Sequence, residues 1–221
     1  MAIFLVRHSA PDIRPGICYA ATNAPVHEAE FARVMPLIDA ALPPDAVIVT
    51  SPLSRCRRLA DFLAMGKPGR VIMADRRFIE RDLGRWTGLL WTAIPRDEAK
   101  AAAASYLDYW PPPVITENGP VLRGLNVSPR LGAGESIRAM QIRVLEAFDD
   151  FWQIAEGRNL VIISHAGPLT AIIAYWQNQP LAPGIQPSAD CGDVVQLAVV
   201  DGVRRALVVR RASPPAEVDS F

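Results

Sequence analysis

Three groups of polar side chains follow runs of apolar residues, and their types suit oxyanion chemistry. Arg7 and His8 follow "FLV", Arg55 comes shortly after "VIVT", and His165 follows "LVIIS". A guanidinium is a planar fork of donors that binds oxyanions in a bidentate manner. A neutral imidazole can attack an electrophile or carry a proton. The three groups together therefore predict a site that binds a phosphate.

The apolar runs are short and continuous, as in strands that are buried on both faces of a parallel sheet. Ligands of open α/β sheets bind at the carboxyl ends of the strands. If the three strands are parallel, we expect Arg7, His8, Arg55 and His165 to converge there. Such a cluster needs an anion, because these groups would otherwise repel one another and lose hydration without compensation. His27 begins a predicted helix, so we interpret it as structural.

Composition limits the classes of function. The chain has 221 residues, half of them apolar, and 23 basic side chains match 23 acidic ones. This balance favours neither a nucleic acid nor an anionic membrane as partner. The three cysteines are widely spaced, which fits a reducing compartment. With no signal-peptide pattern and no membrane-length apolar run, we expect a soluble, cytoplasmic protein, for which a homodimer stays open.

Apolar periodicity predicts strands that alternate with helices, and therefore an α/β fold with a mainly parallel central sheet. One helix should cover 27–42, with a kink or an early break at Pro36. Another should start near Ser51, which fits an N-cap with Pro52 at the first helical position. The other predicted helices lie at 97–107, from Glu135 onward, and after His165. Strands are predicted at 2–6, 46–50, 69–75 and 159–164, and as a final hairpin across Asp201-Gly202.

One segment interrupts this alternation. Residues 76–132 include a long aperiodic part that is rich in proline and glycine, which is typical of a cap or lid. Residues from about 212 resemble a flexible tail. We therefore expect a single domain over residues 1–221 with one cap insertion.

Five stretches, in this order, make the chain similar to the histidine phosphatase superfamily, in the branch of cofactor-dependent phosphoglycerate mutases and bacterial small-molecule phosphatases. They are "LVRHSAP", "SPLSRCRRLA", "FIERDLGRWTG", "GAGES" and "VIISHAG". The resemblance implies a three-layer, phosphoglycerate mutase-like α/β sandwich with helices on both faces of the sheet. It also implies a phosphoric monoester hydrolase of the histidine acid phosphatase type, acting on a small phosphorylated metabolite.

The resemblance assigns roles to five positions. His8 would be the nucleophile that becomes phosphohistidine, with its other ring nitrogen held by an acceptor such as a backbone carbonyl. Arg7, Arg55 and His165 would bind the phosphoryl oxygens together with His8, and His165 would also assist catalysis. Glu80 would be the general acid, for which the alternative is an ion pair with a neighbouring arginine. The histidines and cysteines lack metal-ligand spacing, so neither a metal nor another cofactor is expected.

The sequence leaves alternatives open for the substrate and for the type of reaction. "PGICYAATNAPV" at 15–26 resembles α-ribazole phosphatases, although Ala21 and Asn23 depart from that pattern. Trp91 stands where the related mutases carry lysine, which favours hydrolysis over a phosphoglycerate mutase reaction. Ser9 and residues 10–14 also depart from the family, so an inert member that binds a phosphorylated ligand or a partner stays open. Apolar residues of the 105–132 segment are candidates to contact the leaving group, and the alternative is that they pack the cap against the domain. They include Tyr106, Tyr109, Trp110 and Leu125.

Overall fold

The computed structural model describes residues 1–113 and 133–212. Its centre is one sheet with the strand order β3-β2-β4-β1-β5-β6. The first four strands pair in parallel and the last two are antiparallel, which confirms the mainly parallel sheet. The strands are β1 Ile3–Arg7, β2 Ala46–Thr50, β3 Arg70–Ala74, β4 Leu160–Ser164, β5 Val194–Val200 and β6 Val203–Arg210.

Helices cover both faces of the sheet. The α-helices are α1 Glu28–Ala41, α2 Ser54–Ala64, α3 Arg96–Ala104, α4 Ile137–Ile154 and α5 Ala166–Trp176. Helices α1 and α2 pack with one face of the sheet in one apolar cluster, and α4 and α5 pack with the other face in a second cluster. Strands β2 and β4 are buried along their whole length, because helices cover them on both sides. The three-layer α/β sandwich is thereby confirmed.

One predicted helix start is wrong, and one of two alternatives for another helix is excluded. Helix α1 continues past Pro36 to Ala41, which excludes the early break, while the kink stays a prediction. Helix α2 begins at Ser54 with Leu53 as its N-cap, not at Ser51. The Ser51 hydroxyl accepts a hydrogen bond from the Leu53 amide at 3.4 Å, within a turn that precedes the helix. Ser51 is thus left at the carboxyl end of β2.

The predicted hairpin at Asp201-Gly202 is confirmed, since β5 and β6 pair in antiparallel fashion on either side of it. The first part of the predicted cap, 76–113, contains α3 and three single-turn 3-10 helices, at Arg76–Phe78, Gly84–Trp86 and Trp91–Ala93. The rest of the cap, 114–132, and the predicted tail beyond residue 212 lie outside the described residues.

The contribution of core packing to stability can be tested by substitutions on α4. Phe148 is fully buried and packs edge-on against Trp152 and Tyr175, so Phe148→Ala removes a ring that close packing cannot replace. We expect it to lower the free energy of unfolding by about 3–5 kcal/mol in urea titrations. Ile142→Ala on the exposed side of the same helix is the control, with an effect below about 1 kcal/mol. Equal effects of the two substitutions would contradict this packing.

Candidate active site

The site lies where the connections of the sheet diverge. Strands β1 and β4 are parallel neighbours, but the chain leaves β1 toward α1 on one face and leaves β4 toward α5 on the other. Such a switch point opens a crevice at the carboxyl ends of the two strands. His8 follows β1, and its amide donates to the Ser164 carbonyl at 3.1 Å. His165 is the N-cap residue of α5, so both imidazoles start from this crevice.

The orientation of the His8 ring is determined by its two nitrogens. Nδ1 lies 2.6 Å from the Ser9 carbonyl oxygen, and because a carbonyl only accepts, Nδ1 carries the proton. Nε2 therefore bears the lone pair and accepts from Arg55 Nε at 3.2 Å. Burial lowers the pKa of His8 well below its ordinary value, and the charges of Arg55 and Arg7 lower it further. The ring is therefore neutral, with its lone pair on Nε2.

Arg55 is fully buried in the first turn of α2. Besides Nε, its Nη1 donates to the Thr22 carbonyl at 2.6 Å and its Nη2 to the Ala20 carbonyl at 2.9 Å. These bonds compensate part of the hydration that the guanidinium loses. Through Arg55, the loop after β1 is thus linked to His8.

Arg7 provides a second guanidinium at the end of β1. Its Nη1 donates to the Ala189 carbonyl at 2.9 Å, and the amide of Gly192 donates back to the carbonyls of Arg7 and His8 at 3.1 Å. The Nε of Arg7 is buried and has no hydrogen-bond partner among the residues that the structure describes. A buried donor without a partner is costly, and an oxyanion beside it would remove that cost.

His165 faces His8 from the carboxyl end of β4. The two imidazole centroids are 5.0 Å apart and the rings are tilted by 60°. His165 Nε2 lies 2.8 Å from the Ser51 hydroxyl and 3.5 Å from the Cys56 sulfur. Burial lowers the pKa of His165 well below its ordinary value, and the charge of Arg55 acts in the same direction. Burial raises the pKa of the Cys56 thiol to about 12, so the sulfur beside this ring is uncharged.

Glu80 enters the site from the segment that follows the first 3-10 helix. Its Oε1 accepts from the Arg81 amide at 2.9 Å, and its Oε2 from the Gly167 amide at 3.2 Å. A Cβ on residue 167 would collide with Glu80 Oε1 and would lie 2.9 Å from Met140 Sδ, so a larger residue here would displace the Glu80 carboxylate. Glu80 thus forms no ion pair with Arg77 or Arg81, in contrast to the alternative from the sequence.

Arg143 on α4 anchors the segment that carries Glu80, and the sequence does not reveal it. Its Nη1 donates to the carbonyls of Arg77 at 2.6 Å and Ile79 at 2.8 Å, while Nε and Nη2 hold the Glu135 carboxylate at 2.6 and 2.7 Å. The Ser164 hydroxyl at the end of β4 donates to the Phe78 carbonyl at 2.7 Å. Backbone carbonyls as partners leave no pattern in the sequence.

A cavity of about 410 Å³ adjoins these groups. Arg7, Glu80 and Gly167 line it on the side of the two histidines, and Tyr106, one of the aromatic candidates from the cap, lines it elsewhere. Tyr109 instead stacks on Trp86, with ring centroids 5.4 Å apart, and Trp110 lines a separate cavity. Leu125, another candidate to contact the leaving group, lies outside the described residues.

The structure also bears on metal binding, on membrane-spanning helices and on disulfide bonds. In the described ranges 1–113 and 133–212, no group of three or more histidine, cysteine or acidic side chains is arranged to hold a metal ion. In the same ranges, no helix is both long and apolar enough to cross a membrane. Cys18, Cys56 and Cys191 are free thiols.

The chain belongs to the histidine phosphatase superfamily, branch 1, whose family model matches residues 3–210. This confirms the suspected family. A comparison with curated protein sequences finds no match.

Solved structures share the fold at low sequence identity. The α-ribazole phosphatase of Shigella flexneri has a TM-score of 0.74 at 16% identity, over 96% of this chain and 98% of that one. YhfR of Bacillus stearothermophilus has a TM-score of 0.70 at 21% identity, over 94% and 96%. A mycobacterial glucosyl-3-phosphoglycerate phosphatase has a TM-score of 0.67 at 20% identity, over 94% and 96%. The three structures support the phosphoglycerate mutase-like fold.

The two buried imidazoles predict a dependence of stability on pH. Since the pKa values of His8 and His165 are lowered in the folded protein, the unfolded chain takes up protons first as the pH falls below about 6.5. The folded state therefore loses stability below that pH, by roughly 1.4 kcal/mol per pH unit for each ring. Urea titrations at pH 7.5, 6.5 and 5.5 in phosphate-free buffer measure this slope.

The variant His165→Gln removes one of the two rings and should reduce that slope to about half. The range above pH 5.5 keeps the measurement clear of most carboxylates, which titrate near pH 4. A free energy of unfolding that stays constant between pH 7.5 and 5.5 would show that neither ring is held neutral by the fold.

Proposed function

We propose that the protein is a phosphomonoesterase of the histidine acid phosphatase type, which hydrolyses a small phosphorylated metabolite through a phosphohistidine. The observation that carries this proposal is the state of His8. Its Nδ1 proton is bound by a carbonyl and its Nε2 lone pair lies among Arg7, Arg55 and His165. A neutral nucleophile beside two guanidiniums suits in-line attack on a phosphate ester.

In the first step, His8 Nε2 forms a bond to phosphorus while the bond from phosphorus to the ester oxygen breaks. Arg7 and Arg55 stabilise the charge on the non-bridging oxygens, and the unpartnered Nε of Arg7 is the donor best placed for this. His165 contributes a further donor. Glu80, which lines the adjoining cavity, gives its proton to the leaving alkoxide.

In the second step, the Glu80 carboxylate removes a proton from a water molecule that attacks the phosphohistidine. The bond between phosphorus and Nε2 breaks, inorganic phosphate leaves, and the lone pair of His8 is restored. The Ser9 carbonyl retains the Nδ1 proton throughout, so the ring changes charge only through its bond to phosphorus. The balance of atoms requires neither a metal nor another cofactor.

The proposal also includes a candidate substrate and a cellular location. The "PGICYAATNAPV" stretch makes α-ribazole 5′-phosphate the first ester to test, and the fold shared with an α-ribazole phosphatase supports that choice. The free thiols fit a cytoplasmic location. A phosphoglycerate mutase would interconvert phosphoglycerates in the presence of a bisphosphorylated primer, and an inert binder would turn over no ester. A screen of phosphomonoesters separates these outcomes.

The role of His8 predicts a covalent intermediate. During turnover of an aryl phosphate, we expect rapid acid-free quenching to trap a phosphoryl adduct that is labile in acid and stable in base, as a nitrogen-bound phosphoryl group is. His8→Ala should abolish both the adduct and the turnover, while His27→Ala, at the exposed N-cap of α1, should keep both. An adduct that persists in His8→Ala would exclude His8 as the nucleophile.

The role of Glu80 predicts a dependence on the leaving group. Glu80→Gln should slow hydrolysis of alkyl phosphates by about a hundredfold to ten-thousandfold, because a poor leaving group needs a proton. Hydrolysis of 4-nitrophenyl phosphate should slow far less, since nitrophenolate leaves without one. Glu146→Gln, an exposed change on α4, is the control. Equal slowing of both ester types would remove Glu80 from the acid role.

A further inference from the structure

The polar contacts of His165 are concentrated on one of its two ring nitrogens. Nε2 lies 2.8 Å from the Ser51 hydroxyl and 3.5 Å from the Cys56 sulfur. Among residues 1–113 and 133–212, Nδ1 has no oxygen or nitrogen partner, and the same sulfur lies 3.9 Å from it. Because the ring is held neutral, only one of the two nitrogens carries a proton. The partner of Nε2 therefore decides what Nδ1 can bind.

The Ser51 hydroxyl has one proton to donate and few groups that can accept it. Its oxygen accepts from the Leu53 amide at 3.4 Å, and because Ser51 is fully buried, its own proton needs an acceptor as well. In the part of the chain that the structure describes, the acceptors beside it are His165 Nε2 and the Cys56 sulfur. A thiol sulfur is a weak acceptor, and this one directs its S–H at the Ser164 carbonyl at 3.6 Å. The hydroxyl therefore donates to Nε2.

This hydrogen bond fixes the tautomer of His165. With the lone pair on Nε2, the single proton of the neutral ring lies on Nδ1. Nδ1–H is then a buried donor without an oxygen or nitrogen acceptor in the described ranges, as is the Nε of Arg7. Donors of this kind are costly, and a bound oxyanion would remove the cost. The centroids of the His165 and His8 rings are 5.0 Å apart, so a phosphoryl group on His8 would lie within reach of His165.

We propose that Ser51 is a positioning residue, whose hydroxyl donates to His165 Nε2 and thereby makes Nδ1–H the group that binds the phosphoryl oxygens. The tautomer follows from the hydrogen bonds alone, while its consequence for catalysis rests on the proposed function. The proton of a free neutral histidine prefers Nε2, so without Ser51 the ring would present the Nδ1 lone pair to the phosphoryl group. A lone pair repels an oxyanion instead of binding it.

Nitrogen NMR reads the tautomer directly and without turnover. The chain has three histidines, so protein labelled with ¹⁵N-histidine gives three sets of ring signals in long-range proton–nitrogen spectra. The variants His165→Gln and His27→Ala assign these signals. At pH 7.5 in phosphate-free buffer, we expect His165 to carry its proton on Nδ1, as the contact with the Ser9 carbonyl requires for His8. A wild-type His165 ring with its proton on Nε2 would overturn the inference.

The variant Ser51→Ala tests whether the hydroxyl sets this state. We expect the proton of His165 to move to Nε2, while unchanged ring signals of His8 report an intact fold. Ser54→Ala is the matched control, because it removes a nearby hydroxyl that donates to the Ala24 carbonyl at 3.4 Å, and it should leave both tautomers unchanged. A proton that stays on Nδ1 in Ser51→Ala would exclude Ser51 from this role.

Turnover of 4-nitrophenyl phosphate measures the consequence for catalysis, because this ester needs no proton from Glu80. Ser51→Ala should lower kcat/KM about a hundredfold, which is the usual cost of losing one donor to a developing oxyanion. Ser54→Ala should leave kcat/KM unchanged. An unchanged kcat/KM in Ser51→Ala would overturn the catalytic part of the inference.

A double-substitution cycle separates positioning from packing. In the His165→Gln background no tautomer remains to be set, so we expect Ser51→Ala to lower kcat/KM there by less than about threefold. A loss as large in that background as in the wild-type protein would show that Ser51 acts through packing, and would overturn the inference. Absence of turnover in the wild-type protein would contradict the proposed function, but the NMR result for the tautomer would stand.

Discussion

An imidazole that stays neutral between two guanidiniums is the constraint on which the site depends. The Ser9 carbonyl holds the Nδ1 proton of His8, and the Arg55 Nε–H points at the Nε2 lone pair. Burial and positive charge both lower the pKa of the ring, so its neutral form prevails. The charges that would attract an oxyanion therefore also keep the ring unprotonated. The same arrangement thus attracts an oxyanion and keeps the His8 ring neutral.

The topology of the sheet provides the place for this arrangement. At the switch point between β1 and β4, two strand ends lie side by side while their helices leave on opposite faces. A buried guanidinium needs acceptors, and for Arg55 these are the carbonyls of Ala20 and Thr22. Tyr19 and Ala20 also line the cavity. The loop that stabilises Arg55 is thus part of the surface of this cavity.

Glu80 comes from outside the sheet, yet its position is as well defined as that of the histidines. Arg143 holds the carbonyls that precede it, and the Ser164 hydroxyl holds the Phe78 carbonyl. The first turn of α5 supplies the Gly167 amide, and its lack of a Cβ leaves space for the carboxylate. Both oxygens of the Glu80 carboxylate are thus bound to backbone amides at the edge of the cavity.

The sequence by itself determined the buried strands, the alternation with helices, the final hairpin and the family, because apolar periodicity, turn residues and ordered motifs are local signals. It also singled out Arg7, His8, Arg55, Glu80 and His165. Only the tertiary structure decided that α2 begins after Ser51, which leaves that hydroxyl beside His165. It alone shows that Arg143 anchors the Glu80 segment and that Arg81 lines the adjoining cavity. These contacts join a side chain to carbonyls or to cavity walls that are distant in the chain, and such partners leave no periodic or local trace.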